Sequence, residues 1–227
     1  MAVLLHINTS IETASIALSS DKQILHVERN KNIRDHASWI HVAIQSLLSQ
    51  CDKKVTDLSA VAVVEGPGSY TGLRVGMATA KGLCFSLGIP MITESSLRLM
   101  AFAAISNHEA GSEPNVVFIP MIDARRMEVF TAGYDLHLNE VLSLSAVVLE
   151  STSFDHLAKN NRLVFFGNGS KKFQDIVSHD EFRFIDAQHD AGDLVPLAFQ
   201  KFRRGDFADL AYSEPAYLKE FYTHPKK

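Results

Sequence analysis

A run of glycines and hydroxyls, Gly66-Pro67-Gly68-Ser69-Tyr70-Thr71-Gly72-Leu73-Arg74-Val75-Gly76, joins an apolar, β-branched stretch to a helical one, and its residue types are those that could hold an anion. Unpaired N–H groups at a helix start and the dipole behind them both favour negative charge. The spacing is not that of a P-loop, which ends in Gly-Lys-Ser/Thr, nor of a dinucleotide fingerprint, which needs an acid at the following strand. On chemistry alone, an anion cradle and a tight structural connection fit the run equally well. Ser69 is a poor candidate nucleophile, because nothing near it supplies a base and no GxSxG elbow strains it outward. Capping the helix suits it better. Tyr70 suits contact with a partner or packing beside the loop.

Ten histidines raise the question of a metal. His36 and His41 are the nearest pair on a helix, and five positions of helical rotation set their rings about 140° apart. They cannot share one ion comfortably, and no HExxH is present. His108, His137, His156, His179 and His189 sit in polar stretches where a solvated ring is the ordinary outcome, whereas His6 lies within an apolar strand and reads as a core histidine. Cys51 and Cys84 lack CxxC spacing, and Cys84 falls inside an apolar helix, so a buried thiol is expected rather than a ligand or disulfide. The expectation is therefore no metal and no catalytic residue.

The elements that would position these residues follow one pattern twice. Val3–Ile7 reads as a buried strand; Ala14, Ile16 and Leu18 alternate on a second; Ser20-Asp21-Lys22 turns, and Ile24–Glu28 returns. Asp35 can cap a helix from His36 to Leu48, with His36, Ile40, Ala43, Ile44 and Leu47 along one face. Ala60–Val64 is the next strand, stopped by Pro67, and Leu73–Leu87 the next helix, stopped by Gly88 and Pro90. In the second half Val116–Ile122, Met127–Tyr134 and Glu140–Leu149 read as strands, Phe154–Lys159 as a short helix, Leu163–Phe166 as a strand, and Leu194–Phe202 as the closing helix. Ser95–Ile105 looks helical, and the polar Asn107–Pro114 connector sets the division at 1–106 and 107–227, with the last segment able to pack back on the first domain. A duplicated βββαβα unit predicts an α/β fold of the actin-like (ASKHA, RNase H-like) kind in two small domains.

Composition is consistent with this. The 227 residues are 46% hydrophobic and 21% charged, enough for a sizeable core, and the net charge of −4 gives no global basic field for nucleic acid. The pI is near 6.2. The run Ala2–Ile7 is too short for a signal peptide, no stretch approaches a membrane span, and the cysteine pattern fits a reducing compartment, so a cytoplasmic protein without membrane contact is expected.

The run GPGSYTGLRVG resembles the hallmark of the TsaB (YeaZ) family. Leu4-Leu5-His6-Ile7-Asn8-Thr9-Ser10 with Ser15-Ile16-Ala17-Leu18 is similar to that family's first hairpin, Met121–Phe130 to its central strand pair, and Pro215-Ala216-Tyr217-Leu218 to its C-terminal signature. The matches run in the family's order from residue 3 to about residue 218. The resemblance implies a role in forming N6-threonylcarbamoyladenosine next to the tRNA anticodon, as a noncatalytic scaffold that activates the transferase TsaD.

The resemblance also directs attention to a nucleotide cleft. Active members of the fold carry a metal-phosphate Asp where this chain has Asn8, followed by Thr9, and a neutral amide lacks the charge that Mg2+ requires. The second phosphate element, normally Asp followed by glycine, is Asp123 followed by Ala124, Arg125 and Arg126. Gly167 and Gly169, in Phe166–Ser170, read as a remnant adenosine loop or as a generic turn. A degenerate cleft at Asn8, Thr9, Asp123, Gly167 and Gly169 is expected, with no cofactor or at most weak nucleotide binding.

Partner contact is expected instead at the first-domain helices: His36, Trp39, Ile40, Ala43 and Leu47 on one, Tyr70, Gly72, Gly76, Ala80 and Leu83 at the other. Trp39 and Val42 widen the apolar arc beyond what a core needs, and the small residues would let another helix approach. The resemblance implies a heterodimer with a TsaD homologue, the ATPase TsaE docking on that pair, a homodimer as the other pairing, and tRNA reached only indirectly. The competing reading is a stand-alone ATPase or phosphotransferase of the same fold.

Overall fold

A computed structural model of the chain describes residues 1–30, 35–107, 115–177 and 182–218. Two compact units emerge, Met1–Glu109 with Ala187–Pro215, and Ala110–Asp186 with Ala216–Lys227. The connector expected at Asn107–Pro114 lies, from residue 108 on, outside the described residues.

The first unit is a five-stranded sheet. β1 (Val3–Asn8), β2 (Ser15–Ser20) and β3 (Gln23–Arg29) form antiparallel neighbours, and β4 (Leu58–Gly66) and β5 (Met91–Ser95) join in parallel, giving the order β3-β2-β1-β4-β5. Side chains alternate across the pleat. Val3, Leu5 and Ile7 of β1 and Val61 and Val63 of β4 enter a core with Ile40, Ile44 and Leu47 of α1 (His36–Gln50) and Met77 and Ala80 of α2 (Tyr70–Leu87). α1 starts without the expected cap, since the Asp35 side chain makes no capping bond. α2 starts three residues before the expected Leu73, because the Ser69 hydroxyl accepts from Gly72 N at 3.3 Å and so caps the helix early. Gly88, left-handed at φ 65°, ends α2.

β5 falls in a stretch assigned to no element by the sequence pattern, just before α3 (Ser96–Asn107). It is short and buried, and it forms because β4 offers a parallel edge beside it.

The second unit repeats the wiring. β6 (Val116–Asp123), β7 (Glu128–Tyr134) and β8 (Glu140–Val148) are antiparallel neighbours, and β9 (Arg162–Phe166) and β10 (Arg183–Phe184) join β6 in parallel order. The sheet order β10-β9-β6-β7-β8 is that of the first unit read from its other edge. α4 (Asp155–Ala158) and the unforeseen α5 (Ser170–Gln174) are short. Their core is aromatic: the Phe154 ring meets Phe165 and Phe173 nearly edge-on at 5.2 and 5.1 Å between centroids, a geometry worth about 0.5–1.5 kcal/mol per pair beyond area burial.

The helix expected to close the second half belongs to the first. α6 (Leu194–Arg204) packs on β5, β1 and β4, with Val195 against Ala17. Arg29 pairs with Asp190, and Ala191 N donates to Ser15 Oγ at 2.9 Å, so the approach to the helix is tied to the first sheet as well. The apolar periodicity locates this helix correctly, but period alone does not say which sheet it covers. The division at residue 106 therefore omits residues 187–215 from the unit to which they return.

Candidate functional site

In the first unit the loop between β1 and β2 and the glycine run before α2 are interlocked at the carboxyl ends of β1 and β4. Ser69 N donates to Ser10 O at 2.8 Å. A Cβ on Gly68 would stand 2.3 Å from Ser10 O, one on Gly72 2.1 Å from Thr9 O, and one on Gly76 2.3 Å from Thr9 Oγ1. A Cβ at any of the three would run into the Thr9–Ser10 segment, into its backbone oxygens from Gly68 and Gly72 and into the Thr9 hydroxyl from Gly76, so the glycines are a seat for that segment. Of the two readings open for this run, the geometry is that of a structural connection.

Asn8 is buried and works within the same knot. Its Oδ1 accepts from Ser10 Oγ at 2.7 Å and from Ser10 N at 3.2 Å, an Asx-type turn that commits the carbonyl to its own loop. Asn8 Nδ2 and Thr9 Oγ1 are buried without a protein partner. His6, two residues back on the same strand face, meets Ser19 Oγ through Nε2 at 2.9 Å, and burial lowers its pKa to about 3. It is the core histidine that its setting predicted.

The second unit carries the counterpart. Asp123 N donates to Asn168 Oδ1 at 2.9 Å, Gly169 N donates to Met121 O at 3.0 Å, and a Cβ on Gly169 would stand 2.8 Å from Val129 Cγ1 and 3.1 Å from Asp123 N. Gly167, at φ 92°, makes the turn that brings this loop onto the end of β6. The Asp123 carboxylate accepts from Lys172 Nζ at 2.5 Å and from Arg125 N at 2.6 Å. Burial pushes its pKa up, but Lys172, the Arg125 N–H and the charges of both side chains outweigh that and hold the carboxyl below its usual range. Arg125 and Arg126 both take positive φ, 69° and 49°, to complete the tight turn into β7. Asn8 and Thr9 thus stand at one carboxyl edge and Asp123, Gly167 and Gly169 at its repeat, with Asn8 Oδ1 and the Asp123 carboxylate each committed within its own unit.

The residues expected at a partner interface separate into two groups. Ile40, Ala43 and Leu47 of α1, and Gly72, Gly76 and Ala80 of α2, are buried in the first unit's own core or against its β1–β2 loop. That corrects the expectation that the small residues of α2 leave room for another helix: the element they admit is the end of β1. Trp39 and Leu83 are half-buried against the same core. His36 is half-buried, its Nδ1 3.4 Å from Asn30 Nδ2. Tyr70 is exposed, with the Arg74 guanidinium stacked 4.1 Å over its ring.

What each of the two helices does expose is different. Val42 on α1 is 67% exposed and Phe85 on α2 is 81% exposed. Arg74, Ala78 and Gly82 share the α2 face with Phe85 at helical spacing, and all are exposed. The signal for Phe85 was available: it is a large apolar residue off the stripe that Leu73, Met77, Ala80 and Cys84 define.

Among the described residues, no three His, Cys, Asp or Glu side chains gather where they could hold a metal ion, and no helix is long and apolar enough to cross a membrane. Cys84 is buried, with its thiol pKa pushed up to about 11 by burial, and Cys51 is half-buried. His108, His179 and the tail Thr223–Lys227 lie outside the described residues.

Known proteins share both the sequence and this architecture. The family model for TsaD, tRNA N6-adenosine threonylcarbamoyltransferase, matches residues 27–222. The tRNA threonylcarbamoyladenosine biosynthesis protein TsaB of Escherichia coli (strain K12) is 30% identical over 224 residues, spanning 95% of this chain and 94% of that protein. The protein of the same description from Bacillus subtilis (strain 168) is 31% identical over 225 residues, with 95% and 93% covered. The solved structure of YeaZ from Pseudomonas aeruginosa superposes with a TM-score of 0.76 at 28% identity, covering 96% of this chain and all of that one (100%). The doubled wiring is the α/β actin-like (ASKHA) fold in two small domains.

Proposed function

The chain belongs to the TsaB (YeaZ) family, whose members are tRNA threonylcarbamoyladenosine biosynthesis proteins, and from that premise we propose that it is a noncatalytic subunit which binds and activates a TsaD homologue. The observation that carries the reading is the commitment of Asn8 and Asp123. Where this fold needs a free carboxylate for a metal-bound phosphate, Asn8 supplies an amide whose carbonyl oxygen holds its own loop, and Asp123 is tied to Lys172. Chemistry then falls to the partner, and this chain contributes surface.

The surface is made of the residues that α1 and α2 expose, with Val42 and Phe85 as apolar anchors and the Tyr70–Arg74 stack in the first turn of α2. Tyr and Arg are enriched at the energetic centres of interfaces, and a stacked pair loses little freedom on binding. The TsaD homologue is the occupant in this reading, TsaE docks on the resulting pair, and a homodimer uses the same helices when TsaD is scarce. The net charge of −4 supports leaving tRNA to the other subunits.

The test is depletion of the protein followed by mass spectrometry of tRNA nucleosides. Loss of threonylcarbamoyladenosine, restored by the parent chain and by an Asp123→Asn chain alike, is the expected result. Persistence of the nucleoside overturns the assignment, and failure of the Asp123→Asn chain alone overturns the noncatalytic role.

A further inference from the structure

β5 is the edge strand of the first sheet, and two of its carbonyls are closed, that of Thr93 by a lysine directly and that of Met91 by a segment that a second lysine holds. Thr93 O accepts from Lys201 Nζ at 2.7 Å, and the same ammonium stands 3.4 Å from Glu94 Oε2. Met91 O accepts from Ala208 N at 2.9 Å, in an isolated antiparallel bridge with the segment after α6. That segment is held in turn by Lys81 of α2, whose Nζ donates to Ala211 O at 3.2 Å and Ser213 O at 3.0 Å. Ala208 and Leu210 pack inward on the first core, while Phe207 and Tyr212 remain 43% and 86% exposed. Residues 206–213 therefore form a strap along the sheet edge, with one backbone bond to the strand and an ammonium latch at its far end.

An unpaired edge is a template for another strand, and lysines at edges are a common means of blocking it. We propose that Lys81 and Lys201 act as a two-point guard of the β5 edge, and that the strand they exclude is β5 of a second copy of this chain. The strap lies antiparallel to β5 at Met91, so the space it fills accepts an antiparallel strand. A twofold axis sets β5 antiparallel to itself, which makes a second copy the natural occupant once the strap lifts. The inference concerns the sheet edge and does not depend on the role assigned to the exposed faces of α1 and α2.

The experiment uses the full chain and two variants that reach the strap from opposite ends. Lys81→Met removes the latch, and Ala208→Pro removes the N–H that caps Met91 while leaving every charge in place. Hydrogen exchange by mass spectrometry reads residues 206–213 and 91–95, and light scattering against concentration reads the mass. Both variants are expected to exchange at least about tenfold faster in these two segments, with α1 and β1 unchanged, and to self-associate beyond the parent chain. An unchanged rate in the strap, a rise shared equally by all protected amides, or a local rise with the parent's mass at every concentration overturns the proposal.

Discussion

Gly76 on α2 lies so close to Thr9 at the end of β1 that a methyl group placed on it would stand 2.3 Å from Thr9 Oγ1 and 3.4 Å from Ile7 Cγ2. Gly76→Ala is therefore expected to destabilise the first unit by roughly 1–3 kcal/mol through overpacking, measured by urea unfolding. In a Thr9→Ala background the cost should shrink, because the atom in the way is gone. Equal costs in the two backgrounds would show that the contact is not the cause. Thr9→Val is expected to be close to neutral, since the hydroxyl it removes is buried without a protein partner.

Stability should fall below neutral pH. The ordinary histidine value is 6.5 and burial holds His6 near 3, so below pH 6.5 the unfolded chain takes up a proton that the native state refuses. Above pH 6.5 both states are neutral and the group adds no slope. Between 6.5 and about 3 it lowers stability by about 1.4 kcal/mol per pH unit. His189, lowered to about 4 by burial and partly offset by Asp190, acts in the same direction. Unfolding free energies at pH 7, 6 and 5 check this, and a His6→Gln chain should show a shallower decline.

Nucleotide should be a poor ligand. Calorimetric titration of ATP is expected to give the same weak or absent heat with and without Mg2+, and Asn8→Ala or Asp123→Asn should leave it unchanged. Magnesium-dependent binding that disappears in Asp123→Asn would instead favour a phosphotransferase. Asp123→Asn should also loosen Lys172, since it removes the charge that holds the ammonium at 2.5 Å.

Partner affinity should depend on what α1 and α2 expose. Phe85→Ser and Val42→Ser are expected to weaken binding to the TsaD homologue by tenfold or more while leaving the melting temperature near the parent value. Leu47→Ala should do the reverse: Leu47 is 0% exposed, and its truncation costs about 2–5 kcal/mol of stability. Trp39→Ala is a mixed probe, because that ring packs partly on its own core.

Much of the architecture was legible because strand and helix periods are local. The alternation of Ala14, Ile16 and Leu18 and the β-branched run at Ala60–Val64 located β2 and β4. β5 and β10 were not legible: each is short, and each is a strand only because a neighbour offers an edge. The contacts around the candidate site residues were not legible. Asn8 and Asp123 were named from the family resemblance, but the Asn8–Ser10 turn and the Asp123–Lys172 pair join side chains whose meeting no spacing announces. The small residues of α2 were read as open to a partner because helical geometry gives a face without giving its direction; the end of β1 already occupies it.

The return of residues 187–215 to the first unit has a consequence for synthesis. On the ribosome β1, β4 and β5 emerge early, but the side chains of α6 that cover them, Leu194, Val195, Leu197, Ala198 and Phe199, arrive only after residues 110–186 have been made. Residues 110–186, the bulk of the second unit, are inserted within the first, and they are made while their host still waits for its final helix. A nascent chain halted before residue 187 carries an uncovered apolar sheet face, the kind of surface that chaperones hold.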